Sequence, residues 1–219
     1  MPDVEEGPEH RISEREDRHS AEYWDERYSA EPVWSGNANA ALVAEAAALP
    51  ARRALDVGCG EGADSVWLAL AGWDVTALDI SARAVERTTA VAERAGVSIT
   101  GVAAGLLEAR LDAGSYDLVS VMYPAILRTP TREAERRVLD LVAPGGTLLV
   151  VHHADVDREH ALNRGFDPDD YVSPEDVRVA ASEREGWTVL VDERRDRSVE
   201  HGAGAHHKAD LVVRLMRGA

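Results

Sequence analysis

Residues 54–81 read ALDVGCGEGADSVWLALAGWDVTALDIS, and the order of apolar runs and glycines in them decides the fold. Ala54–Val57 is an apolar run with one acid in it, too short for a helix and followed at once by Gly58, Gly60 and Gly62. That is the pattern of a buried strand entering a glycine turn. Val66, Trp67, Leu68, Leu70 and Ala71 then fill a helix-length segment that Gly72 ends, and Val75–Leu78 is a second apolar run closing on Asp79. Strand, glycine loop, helix, strand and terminal acid predict a βαβ unit with parallel strands and a right-handed crossover.

Glycines let the backbone approach a ligand and take positive φ, and the helix behind them presents free N–H groups to it. Asp79, 23 positions after Asp56, falls where an acid can accept both hydroxyls of a ribose. A dinucleotide meets these conditions too, since Gly58, Gly60 and Ala63 satisfy the loose G-x-G-x-x-A pattern. Charge separates the readings. Between Ala54 and Ala82 stand five carboxylates, Asp56, Glu61, Asp64, Asp74 and Asp79, and no Lys or Arg. A pyrophosphate there meets repulsion on the order of several kcal/mol, whereas a ligand bearing an ammonium and a sulfonium is attracted.

Leu55–Gly62, LDVGCGEG, resembles the first motif of the class I S-adenosylmethionine (SAM)-dependent methyltransferases, and Ala77–Ser81, ALDIS, resembles the second. The resemblance implies an α/β, Rossmann-like fold: a seven-stranded sheet of order 3-2-1-4-5-7-6, strand 7 antiparallel, with helices on both faces. It implies that Asp56, Gly58, Gly60 and Gly62 hold the methionine end and sugar of SAM, Asp79 its ribose hydroxyls, and Ile80 and Leu106 the two faces of adenine. In this family an acid commonly follows the third strand and meets the adenine amino group. Here the residues are Ala104-Gly105-Leu106, so that contact falls to the backbone around Gly105. Tyr116–Pro124 resembles the fourth motif, which puts Met122 and Tyr123 beside the methyl donor. YWDERY at 23–28, followed by Trp34, resembles the start of the thiopurine and tellurite-resistance type of small-molecule methyltransferase. A different nucleoside, an NAD-dependent oxidoreductase and a non-catalytic SAM-binding protein remain as alternatives.

At 219 residues the chain suits one α/β domain. A net charge of -16 without a basic block argues against a nucleic-acid partner, because that affinity comes from Lys and Arg neutralising phosphates. The single cysteine, Cys59, excludes an internal disulfide and reads as a small residue packed beneath the ligand. No run reaches membrane-spanning length and no signal peptide is visible, so a cytoplasmic protein without a membrane partner is expected.

Residues 1–18 are charged and unpatterned and read as a mobile tail, leaving one domain over 19–219. Ser20 caps a helix to about Tyr28, and a second helix runs from Ala38 to Leu49; together, residues 19–50 form an expected lid, with Trp34 over the sulfonium. Ser81 caps a helix to Ala95, Val97–Ala103 is the third strand, and Thr131 caps a helix through Val142 whose Arg132, Arg136 and Arg137 form a solvated face. Thr147–His152 is the fifth strand. Residues 154–186, acidic and with a helix start at Ser173, read as an insertion over the substrate. Trp187–Val191 and Ala209–Met216 complete the sheet.

His152 and His153 end the fifth strand, with Asp155 after them, and His206 and His207 begin the antiparallel seventh, with His201 ahead. The two pairs therefore meet at the carboxyl edge of the sheet, where α/β proteins bind ligands. Three readings follow. The imidazoles satisfy loops and solvent; or His153 removes a proton from an O, N or S nucleophile, with Tyr123 orienting it; or His152, His153, His206 and His207 hold Zn²⁺, which would present a thiol as thiolate. The expected chemistry is methyl transfer from SAM to a small molecule, a thiol ahead of a hydroxyl, giving S-adenosylhomocysteine (SAH).

Overall fold

The computed structural model describes residues 19–163, 165–199 and 201–219; the expected tail, residues 1–18, lies outside the described residues. Its centre is a seven-stranded sheet of order β3-β2-β1-β4-β5-β7-β6. The strands are β1 (Arg53–Val57), β2 (Asp74–Asp79), β3 (Thr100–Ala103), β4 (Tyr116–Met122), β5 (Val142–His153), β6 (Trp187–Asp196) and β7 (Ala209–Arg217). β1 runs parallel to β2 and β4, β4 parallel to β5, and β7 antiparallel to β5 and β6. The expected order and direction are met in full. β1 and β4 sit mid-sheet with both faces covered, which is why they read as unbroken apolar runs.

On one face, α2 (Ala40–Ala46) and α3 (Ala63–Leu70) bring Leu42 and Leu68 against Ala54, Leu118, Leu149 and Val212. On the other, α5 (Glu133–Leu141) and α7 (Pro174–Ser182) pack Leu139 and Val177 against Leu55, Val119, Val150 and Leu215. Between them in sequence lie α4 (Ala82–Arg94) and α6 (Arg158–Asn163), and α1 (Ala21–Arg27) precedes them all. A half-buried ionic triad fastens α2 to the far sheet edge: Glu45 accepts from Arg195 at 2.6 Å and lies 3.0 Å from Arg214.

Capping residues set the helix starts. Ser20 Oγ accepts from Tyr23 N and Ser81 Oγ from Ala84 N; Ser173 and Asp176 form a reciprocal capping box. Several boundaries differ from expectation for local reasons. β3 starts at Thr100, not Val97, because Gly96 turns at φ +75° and Val97 N is spent on Ala92 O at the end of α4. α2 begins at Ala40 because Asp64 takes both the backbone and side-chain N–H of Asn39 at 2.7 Å. Thr131 does not cap α5: Arg132 stands at its N-cap without a side-chain cap bond, and Glu133 N donates to Thr129 Oγ1 at 3.1 Å. Arg137 is no solvated cation: it donates to the carbonyls of Ala109 and Leu111. β5 extends back to Val142 past the Pro-Gly-Gly turn, β6 continues to Asp196, and His206 and His207 lie in the turn before β7 rather than on it.

Gly58, Gly60 and Gly62 all adopt left-handed backbone, at φ +75°, +52° and +87°. At Gly62 an added Cβ would stand 2.8 Å from the Cα of Thr88 in α4, so strain and a backbone clash coincide. Gly62→Ala is expected to cost about 2 kcal/mol or more, lowering Tm by roughly 4–8 °C for a chain of this size. An unchanged melting curve would show that the glycine turn can relax.

Candidate active site

The carboxyl ends of β1, β2 and β4 open onto one edge, and the glycine turn brings the amino end of α3 to it. Asp79, at the end of β2, is 8% exposed and its two oxygens each accept one backbone N–H, from Gly60 and from Ser81, both at 2.9 Å. Each oxygen keeps a second lone pair, enough for the two hydroxyls of a ribose. On the Cβ side of Gly58 there is open space within 4 Å, the gap that a ligand needs beside the turn. Half-buried Ile80 follows Asp79, whereas Leu106 is built into the core and Met122 packs with Leu149 and Val151. Glu108 folds its carboxylate back into the space that a side chain on Gly105 would take. An acid therefore stands beside Gly105 after all, three residues later than the family pattern.

The remaining carboxylates of the loop are committed to the protein. Glu61 accepts from Val33 N and Trp34 N and pairs with Arg87 at 2.5 Å, so it clamps the 29–37 segment and its charge is matched. Asp64 holds Asn39. Asp56 is buried and accepts from Ser65 Oγ at 2.6 Å; burial first, then the charges of Asp64 and Asp79, push its carboxyl well above the ordinary carboxylate range. Cys59 is buried under the turn, and burial pushes its thiol up, as suits a packing residue. Trp34 Nε1 donates to the Tyr28 hydroxyl at 3.1 Å, and both atoms lie 3.2 Å from where a Cβ on Gly60 would be. The aromatic lid thus rests directly on the glycine turn. Trp24 stacks on Tyr28, and Asp25 receives Ser81 Oγ, fixing α1 beside the start of α4.

Farther along the edge, Tyr123 directly follows β4 at φ +50°. Its ring stacks on His153 at 4.3 Å, and His153 stacks on His207 at 3.9 Å. Tyr123 donates its hydroxyl to Asp210 Oδ2 at 2.8 Å, while His153 Nδ1 lies 3.3 Å from Asp210 Oδ1. Burial, then the Asp210 charge, raises the Tyr123 phenol far above its usual range; it stays protonated and acts as a donor, not a base. Burial, then His153, pushes His152 down to about 4, so His152 is neutral at physiological pH. His207 pairs with Asp155 at 3.2 Å. The expected meeting of the two histidine pairs is seen, but the rings stack instead of converging. No group of three or more His, Cys, Asp or Glu among the described residues could hold a metal ion, so the zinc reading finds no ligand set. Asp210 and Arg197 were missed in the sequence. The strand pairing carried the signal, because Asp210 stands opposite His153 in the β5–β7 register. Beside them lies a cleft of about 210 Å³ lined by His152, His153, Val156, Tyr171, Pro174 and Leu211. Residues 154–174 supply much of its wall.

Residues 54–146 match the family model described as "Methyltransferase domain". The matched segment is a methyltransferase domain. It is 32% identical over 130 residues to the ubiquinone biosynthesis O-methyltransferase of Bordetella avium, covering 58% of this chain and 54% of that protein. It is 32% identical over 119 residues to ribosomal RNA small subunit methyltransferase C of Alcanivorax borkumensis, covering 52% and 36%. The chain thus spans about half, or less, of these relatives. The fold is shared with the N-methyltransferase NodS of Bradyrhizobium japonicum in complex with SAH, at TM-score 0.68 and 20% identity, over 91% of this chain and 98% of that one. SAM is the methyl donor of this class, and the open side of Gly58 and the lone pairs of Asp79 fit it. The thiopurine and tellurite-resistance subtype finds no specific support.

The methyltransferase domain makes a pH-dependent prediction. A carboxyl whose pKa is raised by folding opposes folding once ionised, so its cost is absent below the unfolded value near 4 and grows until the folded value is passed. Asp56→Asn should therefore gain stability over the parent as pH rises from 5 to 7.5, by at most about 1.4 kcal/mol per pH unit. Equal Tm differences at both pH values would place an ordinary carboxyl there.

Proposed function

We propose that the protein transfers the methyl group of SAM to a small-molecule nucleophile, a thiol ahead of a hydroxyl. One observation carries the reading: the open glycine turn with Asp79 and the His153–Asp210 pair stand on the same sheet edge, with a cleft next to the imidazole. When bound, SAM supplies a sulfonium whose methyl carbon is open to displacement, the C–S bond electrons going to sulfur to leave SAH. Asp79 holds the ribose, Gly58, Gly60 and Gly62 admit the methionine end, and Ile80 and Glu108 flank the adenine, Glu108 as acceptor for its amino group. Trp34 and Tyr28 close over the turn and exclude water. His153 takes the proton from the acceptor atom as that atom attacks.

The acidity of the acceptor favours sulfur. A thiol near 8.5 gives its proton to a base more easily than does a phenol near 10, and no metal is needed for the step. A cleft of about 210 Å³, below the roughly 300–1,000 Å³ of drug-sized sites, suits a small acceptor. The charge of -16 weighs against RNA, although a relative is named for ribosomal RNA. The proposed chemistry draws on SAM and suits the cytoplasm; among the described residues no helix is long and apolar enough to cross a membrane.

Asp79→Ala should weaken SAH binding by about 10–100-fold, the loss of hydrogen bonds to a charged group worth roughly 1.5–3 kcal/mol, as read by calorimetry. Incubated with SAM and a panel of thiols, phenols, amines and a short RNA, the protein should form SAH with thiols first. His153→Ala should then lower that rate by about 10²-fold or more. Tight SAH binding with no product from any acceptor would mark a non-catalytic SAM-binding protein instead.

A further inference from the structure

We infer that Asp210 is a positioning residue that fixes the His153 proton on Nδ1 and leaves the Nε2 lone pair to accept the acceptor's proton, with Arg197 setting the direction of the chain. The inference rests on the methyl-transfer reading and assigns the base one specific nitrogen.

The direction of every bond in the cluster follows from one residue that can only donate. Arg197 has no lone pair to offer; its side chain is 10% exposed, its Nη1 donates to Gly204 O at 2.7 Å and its Nε to the Tyr123 hydroxyl at 3.2 Å. The Tyr123 oxygen therefore accepts from Arg197, and its proton must go the other way, to Asp210 Oδ2 at 2.8 Å. Arg197 Nε also lies 3.6 Å from that oxygen, so a cation and a hydroxyl proton both meet Asp210 as an acceptor. The nitrogen facing Oδ1 at 3.3 Å, His153 Nδ1, must then carry a hydrogen. In a neutral imidazole the other nitrogen is bare.

The surroundings keep the ring from choosing otherwise. Tyr123 and His207 stack on its two faces at 4.3 and 3.9 Å, and Asp210, 8% exposed at its side chain, has little water to exchange for its partners. The second nearby carboxylate does not compete, because Asp155 is taken by His207 Nδ1 and Lys208 N. His152, the other ring beside it, is held neutral by burial. Nε2 faces Gly204, where an added Cβ would lie 3.3 Å away. A side chain at 204 would press on Nε2, so the glycine leaves that nitrogen free of a covering side chain.

The test is long-range ¹H–¹⁵N correlation on the full chain labelled with ¹⁵N-histidine, with His153 assigned by its loss in His153→Gln, alongside calorimetry with SAH. Expected in the parent protein at pH 7.5 is a protonated Nδ1 and a bare Nε2. In Asp210→Asn, whose amide can donate to the ring, the proton moves to Nε2 while SAH affinity stays within about threefold. With the thiol that serves best as acceptor, Asp210→Asn should lower kcat by about 10²-fold, within the range a positioned base contributes, with KM little changed and partial recovery in Asp210→Glu. A proton on Nε2 in the parent overturns the inference without any variant, as does an Asp210→Asn spectrum that matches the parent. Failure of the parent to bind SAH is the separate result that sinks the methyl-transfer reading itself, and the catalytic sense of the pair with it.

Discussion

The structure depends on a backbone constraint more than on any side chain: three alternate residues after β1 are held in the left-handed region, which only glycine enters without strain. This turn reverses the chain within five residues, from Gly58 to Gly62, and drops α3 onto the sheet so closely that Thr88 of the neighbouring helix fills the place of a side chain at Gly62. Because β1 is central and parallel to both neighbours, the turn fixes where every later loop emerges. Asp79, Tyr123 and His153 are then brought to one edge by topology alone. Tyr123 shows the same economy: it, too, is left-handed, at φ +50°, and is kept so by hydrogen bonds to Asp210 and Arg197 at its far end.

The fold was legible in the sequence because its strongest signals are local. Apolar runs, Gly72 and Gly96 as stops, Ser20, Ser81 and Ser173 as caps, and the motif pair around Asp56 and Asp79 each decide a few residues without reference to the rest. The misses are those in which a hydrogen bond outside the expected pattern overrides a residue's own preference. Asp64 shortens α2 by taking Asn39, and Thr129 reaches Glu133 across the place where Thr131 was expected to cap.

The site was legible only in part, for an electrostatic reason. Counting carboxylates between Ala54 and Ala82 makes the loop look uniformly negative, but Arg87 lies just outside that window and reaches back to Glu61. Asp56 and Asp64 are spent on Ser65 and Asn39. What faces a ligand is mainly Asp79, so the broad negative field narrows to one acid and an uncrowded glycine. The histidines show the converse: sequence placed them together correctly, yet only the register opposite β5 discloses that an aspartate, not a metal, is their organising partner.

The segment between β6 and β7 touches both halves of this site. Ala203 donates its N–H to Val33 O at 2.9 Å and Gly202 is pressed against Ser35, while two residues on Gly204 lies over His153. One strap is thereby buckled to the aromatic segment that rests on the glycine turn and to the His153 imidazole. If the proposed transfer takes place here, the two compartments share a single hatch, so that spent donor and finished product would depart in the same opening stroke, and the tempo of turnover would be set by how readily that buckle slips.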